Sequence, residues 1–263
     1  MPVVARYSDG PPVIAYSLCD ALGRPLVERN PDAVFYAAST IKLAVLLAVM
    51  RAVDAGSVDI EENLDCPRLF ASGACAPDFV VAPDDADPNY PKDGAQLSVS
   101  RLLRMMISRS SNEATNVLVD RIGLPAIAEA LRKCGALVSK MERLLGDVAA
   151  ADTGLTNEVS ARDLTAIMRC VVGGELTTPK STEVMRTLLS AQEHVRIGNA
   201  VPDGIDWGSK SGDVPGIEHD VAFVGDPNGS STHYLAVCTR GYEPVQGREL
   251  IACVASALLA GRV

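Results

Sequence analysis

The chain has 263 residues, with 24 Lys and Arg against 33 Asp and Glu, a net charge of −9 and 48% hydrophobic residues. That apolar share excludes a disordered or collagen-like chain, and the length suits one large domain or two closely joined ones. The acidic balance excludes the basic stripe of a nucleic-acid binder and disfavours an anionic membrane surface, so neither nucleic acid nor membrane is expected as a partner.

Met1 is followed directly by Pro2-Val3-Val4-Ala5-Arg6, without the charged, apolar and small-residue regions of a leader. A cytoplasmic address is expected, or a secreted one if a leader has been removed. Val13–Cys19 reads as a strand, Asp20–Gly23 as its turn and Pro25–Glu28 as a second strand. A helix is expected from about Thr40 to Val53, stopping near Gly56, and its apolar residues on nearly every side mark it as buried. Its run Leu43–Met50 is far shorter than the about 20 residues of a bilayer span. Further helices are expected at Val99–Ile107, Glu113–Ile122, Leu124–Cys134, Ala161–Val172 and Thr182–Ala191.

Pro77, Pro83, Pro88 and Pro91 forbid a regular helix across Ala76–Gly94. That acidic stretch reads as a long loop, either a functional lid or a solvated excursion. After Pro202 the pattern changes to strands at Asp206–Asp213, Asp220–Val224 and Tyr234–Thr239, with turns at Pro215-Gly216 and Asp226–Gly229. A helix at Glu249–Leu259 closes the chain. The order is strands, helical block, strands, helix. It predicts an α+β fold, an α/β sandwich in which an antiparallel sheet flanked by helices carries an inserted all-helical subdomain. The α/β part is expected at about 1–38 and 195–263, and the helical part at about 39–194, within one catalytic domain.

Seven cysteines, Cys19, Cys66, Cys75, Cys134, Cys170, Cys238 and Cys253, are scattered without a C-x-x-C pair. They read as small core residues of a reducing compartment, although Cys66 and Cys75 are near enough in sequence to bridge a loop. His194, His219 and His233 have no metal-ligand spacing with them, so no metal and no other cofactor is expected.

Three short motifs stand in chain order. Ser39-Thr40-Ile41-Lys42 is an S-x-x-K, Ser110-Ser111-Asn112 an S-x-N and Lys210-Ser211-Gly212 a K-[ST]-G. Chance supplies about 0.4, about 0.6 and about 0.05 matches respectively in such a composition, so the set is far more specific than its parts. The first opens the most buried helix, the second precedes a helix and the third lies on a predicted strand.

These motifs resemble those of the class A β-lactamase and penicillin-binding-protein superfamily, along nearly the whole chain. Phe35-Tyr36-Ala37-Ala38-Ser39-Thr40-Ile41-Lys42 is similar to the segment carrying the nucleophile. Ser110-Ser111-Asn112-Glu113-Ala114-Thr115-Asn116 resembles S-D-N-x-A-x-N, with Ser111 in place of Asp. Gly208–Gly212 and Asp220–Val224 look like the K-T-G strand and its neighbour.

A serine hydroxyl needs a base within reach, and residues three apart on a helix share a face, so Ser39 and Lys42 can meet. Lys42 must be neutral to take a proton, which burial and a second cation, Lys210, would favour. The resemblance implies an acyl-enzyme on Ser39, with Lys42 as base and Ser110 as proton shuttle. It further implies Asn112 on the substrate amide, Lys210 and Ser211 on a substrate carboxylate, and Gly212 as a further substrate-binding residue. The backbone N–H groups of Ser39 and Asp213 would form an oxyanion hole. The substrate would be a small acyl compound, with β-lactam hydrolysis as the leading activity. An esterase, peptidase or transacylase on the same site is the first rival, and a non-catalytic or penicillin-binding module the second.

The match fails in places. The family's E-x-x-L-N is absent, and if Asn157 fills its asparagine, Thr153 stands at the glutamate. Asp147, Asp152 and Glu158 are nearby, with Asp152 chosen as the water base. Glu218 stands where many relatives place a carboxylate-binding arginine, with Arg248 as its substitute in that reading, and His219 is a further residue expected near the site.

Overall fold

The strands that read as apolar in the sequence form one five-stranded antiparallel sheet. In this structure, a computed structural model describing residues 2–262, they are β1 (Val13–Cys19), β2 (Pro25–Arg29), β3 (Trp207–Val214), β4 (Ile217–Val224) and β5 (His233–Arg240). Their spatial order is β3-β4-β5-β1-β2, so the two ends of the chain share one sheet. β3 is an edge strand, and its register against β4 sets Lys210 opposite Val221 and Asp213 opposite Glu218. β4 is buried at every residue because both faces of the sheet are covered.

The helices α1 (Lys42–Asp54), α2 (Val99–Ser108), α3 (Asn112–Ile122), α4 (Leu124–Lys133), α5 (Val148–Asp152), α6 (Ala161–Gly173) and α7 (Pro179–Ser190) lie between β2 and β3 in the chain, and α8 (Pro244–Leu259) follows β5. Small polar side chains start them. Ser98, Ser111, Ser160 and Thr178 each accept a first-turn N–H of α2, α3, α6 and α7, which satisfies a donor that the helix leaves unpaired. α1 is buried from Lys42 to Met50 because α2, α3, α4, α6 and α7 surround it. One apolar core joins α1, α6 and the inner face of the sheet, and a second lies between the outer face and α8. The α+β sandwich expected from the order of elements is present, and no described helix is long and apolar enough to cross a membrane.

Several details depart from the sequence reading. α8 begins at Pro244, five residues before the expected Glu249, since proline suits a first helical turn. Residues Val4–Ala5 and Ser8–Asp9 form a small hairpin that the sequence reading left unassigned. The acidic stretch 76–94 is largely exposed but tied down at several points. Phe79–Val80 pairs with Leu69–Phe70, Asp87 holds Arg109 at 3.0 Å and receives Glu113 as an acceptor for its N–H, and Tyr90 is buried. All seven cysteines are free, so Cys66 and Cys75 do not bridge that loop.

Candidate active site

Ser39 sits in a short 3-10 turn, Ala38–Ile41, that runs straight into α1. Ala38 before it has φ +45°, a left-handed conformation that costs a non-glycine residue about 1–3 kcal/mol. The turn lifts the Ser39 side chain out of the core while Thr40 and Ile41 stay buried. One turn on, the Lys42 side chain is fully buried. Its Nζ lies 2.8 Å from Ser39 Oγ, 2.6 Å from the Ser110 carbonyl, 3.1 Å from Ser110 Oγ and 2.8 Å from Asn112 Oδ1.

These four oxygens suit an uncharged amine. The Ser110 carbonyl and Asn112 Oδ1 can only accept, and the hydroxyls can donate. A neutral amine offers two N–H groups and one lone pair, so it can serve both acceptors and still receive the Ser39 proton. Burial is the main force holding the Lys42 pKa well below the ordinary lysine range, and the nearby Lys210 cation adds to it.

Lys210 arrives on β3, also fully buried. Its Nζ donates to Ser110 Oγ at 3.1 Å and to the Ser211 carbonyl at 2.8 Å. Burial lowers its pKa to about 7, Asp220 opposes that shift, and Arg196 reinforces it. Ser110 Oγ therefore stands 3.1 Å from each amine. The Ser110 backbone has φ +62°, a second left-handed position. Ser111 behind it caps α3, the local task of a short polar side chain there. Asn112 is held at both ends, with Oδ1 on Lys42 and Nδ2 donating to the Asp85 carbonyl at 2.9 Å.

Gly212 lets the strand touch the nucleophile's turn. A Cβ there would lie 2.7 Å from Ser39 N and 2.8 Å from Thr40 N, closer than real contacts allow. The absent side chain brings the β3 backbone, which continues into Asp213, against the N–H of Ser39. A cavity of about 230 Å³ opens beside this constellation, with Tyr7, Tyr36, Asp85, Arg143 and Val214 among its walls. Tyr7 comes from the N-terminal hairpin and stacks on Tyr36 at 3.6 Å. Arg143 donates to both phenol oxygens.

The structure brings Ser39, Lys42, Ser110, Asn112, Lys210 and Gly212 together, with Ser211 and Asp213 on the same strand. It leaves Asp152 at the surface, sets Arg248 on Glu218, and places His219 opposite Gly212 in the β3–β4 register with its ring nitrogens on backbone groups. Asp152 is 66% exposed and paired with Arg6. Arg248 reaches Glu218 at 3.3 Å. His219 is enclosed, and burial drives its pKa down to about 4. Its Nε2 lies 3.0 Å from the Tyr36 carbonyl, and its Nδ1 lies 2.7 Å from the Glu218 carbonyl and 3.2 Å from the Thr239 N–H. It thus pins β4 to the segment leading to Ser39. The other carboxylates near the absent E-x-x-L-N are also engaged. Asp147 caps α5 and accepts from Ser72 and Gly73, and Glu158 faces Lys140. Asn157 is buried, accepting from the N–H of Glu142.

The residue that sequence reasoning missed is Arg196. Its guanidinium is buried behind β3, donating to Glu218 and Asp213 at 2.7 Å each. Arg196 belongs to no motif. Its only signal is the run Glu218-His219-Asp220 within a strand that is otherwise apolar, since buried acids call for a cation.

Comparison with known proteins agrees with this arrangement. Residues 4–261 match the model of the β-lactamase enzyme family. A β-lactamase of Streptomyces albus G is 26% identical over 244 residues, covering 89% of this chain and 74% of its own. The structure of a β-lactamase from Sphaerobacter thermophilus superposes with a TM-score of 0.79 at 27% identity, over 95% of this chain and 92% of that one. PBP-A superposes at 0.77 with 26% identity, over 95% and 89%. A variant of PBP-A, L158E, is an acyl-enzyme complex with penicillin G.

Proposed function

The chain belongs to the β-lactamase enzyme family, a family of serine hydrolases, and we propose that it cleaves β-lactam amides through an acyl-enzyme on Ser39. The observation that carries this reading is the buried Lys42 amine 2.8 Å from Ser39 Oγ, with acceptors for each of its own N–H groups.

Ser39 Oγ attacks the acyl carbonyl as its proton passes to the lone pair of Lys42. The carbonyl oxygen becomes an oxyanion, received by the backbone N–H groups of Ser39 and Asp213 in a site that water does not reorganise. The C–N bond then breaks. The proton held on Lys42 moves to Ser110 Oγ, whose own proton goes to the departing nitrogen. Lys210 donates to that hydroxyl and so keeps its lone pairs and proton aligned. What remains is an ester on Ser39, which water hydrolyses to regenerate the enzyme. Asn112 orients the acyl amide, and Ser211 and Gly212 line the strand along which the substrate lies.

The pH profile tests these roles. Lys42 must be neutral, and its pKa is depressed, so acylation rises with pH on the acid side through that lowered value. Lys210 must be charged, and its pKa is about 7, so acylation falls as pH rises above about 7. The bell-shaped kcat/KM for a chromogenic cephalosporin is therefore expected to lose its alkaline limb in Lys210→Arg, whose guanidinium stays charged. An unchanged alkaline limb in that variant removes Lys210 from the mechanism.

One observation favours a second reading. Among the described residues no carboxylate is hydrogen-bonded to Ser39 or Lys42, so nothing evident activates water against the ester. An alcohol or amine acceptor could then take the acyl group, as in a transacylase. Acyl transfer to added alcohols, scored against hydrolysis, separates the two.

A further inference from the structure

Arg196 stays charged at every working pH, and both sides of its guanidinium are already engaged by carboxylates. It is 4% exposed. Nε donates to Glu218 Oε2 and Nη2 to Asp213 Oδ1, both at 2.7 Å, while Nη1 donates to the His194 carbonyl at 3.1 Å. Glu218 is itself 3% exposed and faces Asp213 across the β3–β4 register. α8 leaves room for it at Gly247, where a Cβ would lie 2.8 Å from Glu218 Cγ. The arrangement is therefore built into three elements. Arg196 is shared between two carboxylates, and Glu218 is also reached by the half-exposed Arg248 at 3.3 Å, which leaves Asp213 with Arg196 alone.

Of the two acids, Asp213 is the one that meets solvent, at 55% exposure. It directly follows Gly212, whose backbone abuts Ser39. Its charge is felt at both catalytic amines, where it favours the protonated forms of Lys42 and Lys210. A compound bound along β3 with its carbonyl at Ser39 thus meets a carboxylate at its far end, with the guanidinium behind it.

We propose that the Asp213–Arg196–Glu218 cluster makes this site select acyl substrates whose group beside β3 is neutral or cationic, and reject those that carry a carboxylate there. The inference rests on the reading that Ser39 is acylated. It departs from the expectation that Lys210 and Ser211 would hold a substrate carboxylate. Asp213 acts here as a specificity residue through its side chain, a like-charge element of the kind that discriminates by repulsion.

The test compares one cephalosporin with its own methyl ester. The two differ only in the charge at the carboxyl group. Second-order acylation rates are measured by intact-protein mass for wild type, Asp213→Asn and Asp213→Glu. The readout is the acid-to-ester rate ratio, which cancels any general effect of the substitution on the site. Wild type is expected to prefer the ester. Asp213→Asn is expected to shift the ratio toward the acid by about tenfold, about 1.4 kcal/mol, and 0.5 M salt to shift the wild-type ratio in the same direction. Asp213→Glu restores the charge and is expected to keep the wild-type ratio. Because Asp213 is more than half exposed, the asparagine variant should fold, and a melting scan checks it. An Asp213→Asn ratio equal to wild type, or a Glu variant shifted as far as Asn, overturns the proposal. Absence of any Ser39-dependent adduct with either compound overturns instead the reading beneath it.

Discussion

Lys42→Met is expected to slow acylation of Ser39 by about 10²–10⁴-fold, the usual worth of a positioned general base. Methionine has nearly the length and volume of the lysine stem, so the buried channel beside α1 stays filled. It has no lone pair basic enough to take the Ser39 proton. It also leaves the Ser110 carbonyl and Asn112 Oδ1 without the donor they have now. An unpaired buried acceptor costs about 1–3 kcal/mol, partly offset because the buried amine's own desolvation is removed. A lower melting temperature should therefore accompany the loss. Lys42→Arg should not rescue the rate, because a guanidinium does not become neutral in a protein. The measurement is the single-turnover rate of mass gain at saturating cephalosporin, on variants shown by circular dichroism to be folded. A Lys42→Met rate within about tenfold of wild type is incompatible with Lys42 as the base.

The ester on Ser39 is expected to outlast its formation by about 10²-fold or more, because the second step lacks an activating carboxylate. The acids around the absent motif, with Asp213 and Glu113, each have another partner. Asp147 accepts from Ser72, Gly73 and Ala150. Asp152 lies on the surface with Arg6. Glu158 faces Lys140, and Asp213 is held by Arg196. Glu113 is buried with Ser111 Oγ and the Asp87 N–H as donors. A chromogenic cephalosporin should accordingly give a burst of about one product per enzyme and then a slow steady state. Mass spectrometry of the steady state should show acylated protein predominating. A linear trace with free enzyme predominating contradicts the expectation.

The part of the site that was legible in the sequence is the part whose geometry is local or short-range. Ser39 and Lys42 meet because a helical turn brings positions three apart together, and Ser111 caps α3 because the serine lies just ahead of the first turn. The helices around them were readable from the periodicity of their buried faces. Arg196 was not legible, because its partners lie 17 and 22 residues away on two strands and no spacing rule links a loop arginine to a strand register. Asp152 was misplaced for the same reason. Nearness to a motif in sequence does not say that the side chain faces Ser39, and its actual partner Arg6 lies 146 residues away. The start of α8 was masked by Gly247, a poor helix residue that is present because Glu218 needs the space of a side chain. The hairpin at residues 4–9 gave too short a pattern to read, yet it places Tyr7 on Tyr36 at the edge of the cleft.

The central claim is that the hydroxyl of Ser39 becomes a covalent carrier of the acyl group. Intact-protein mass spectrometry after mixing with penicillin G addresses it directly, with wild type and Ser39→Ala compared in parallel. The account predicts a mass gain equal to the whole penicillin on wild type, localised by peptide mapping to the segment containing Ser39, and none on Ser39→Ala. Equal labelling of both proteins, or turnover by Ser39→Ala at the wild-type rate, would contradict it.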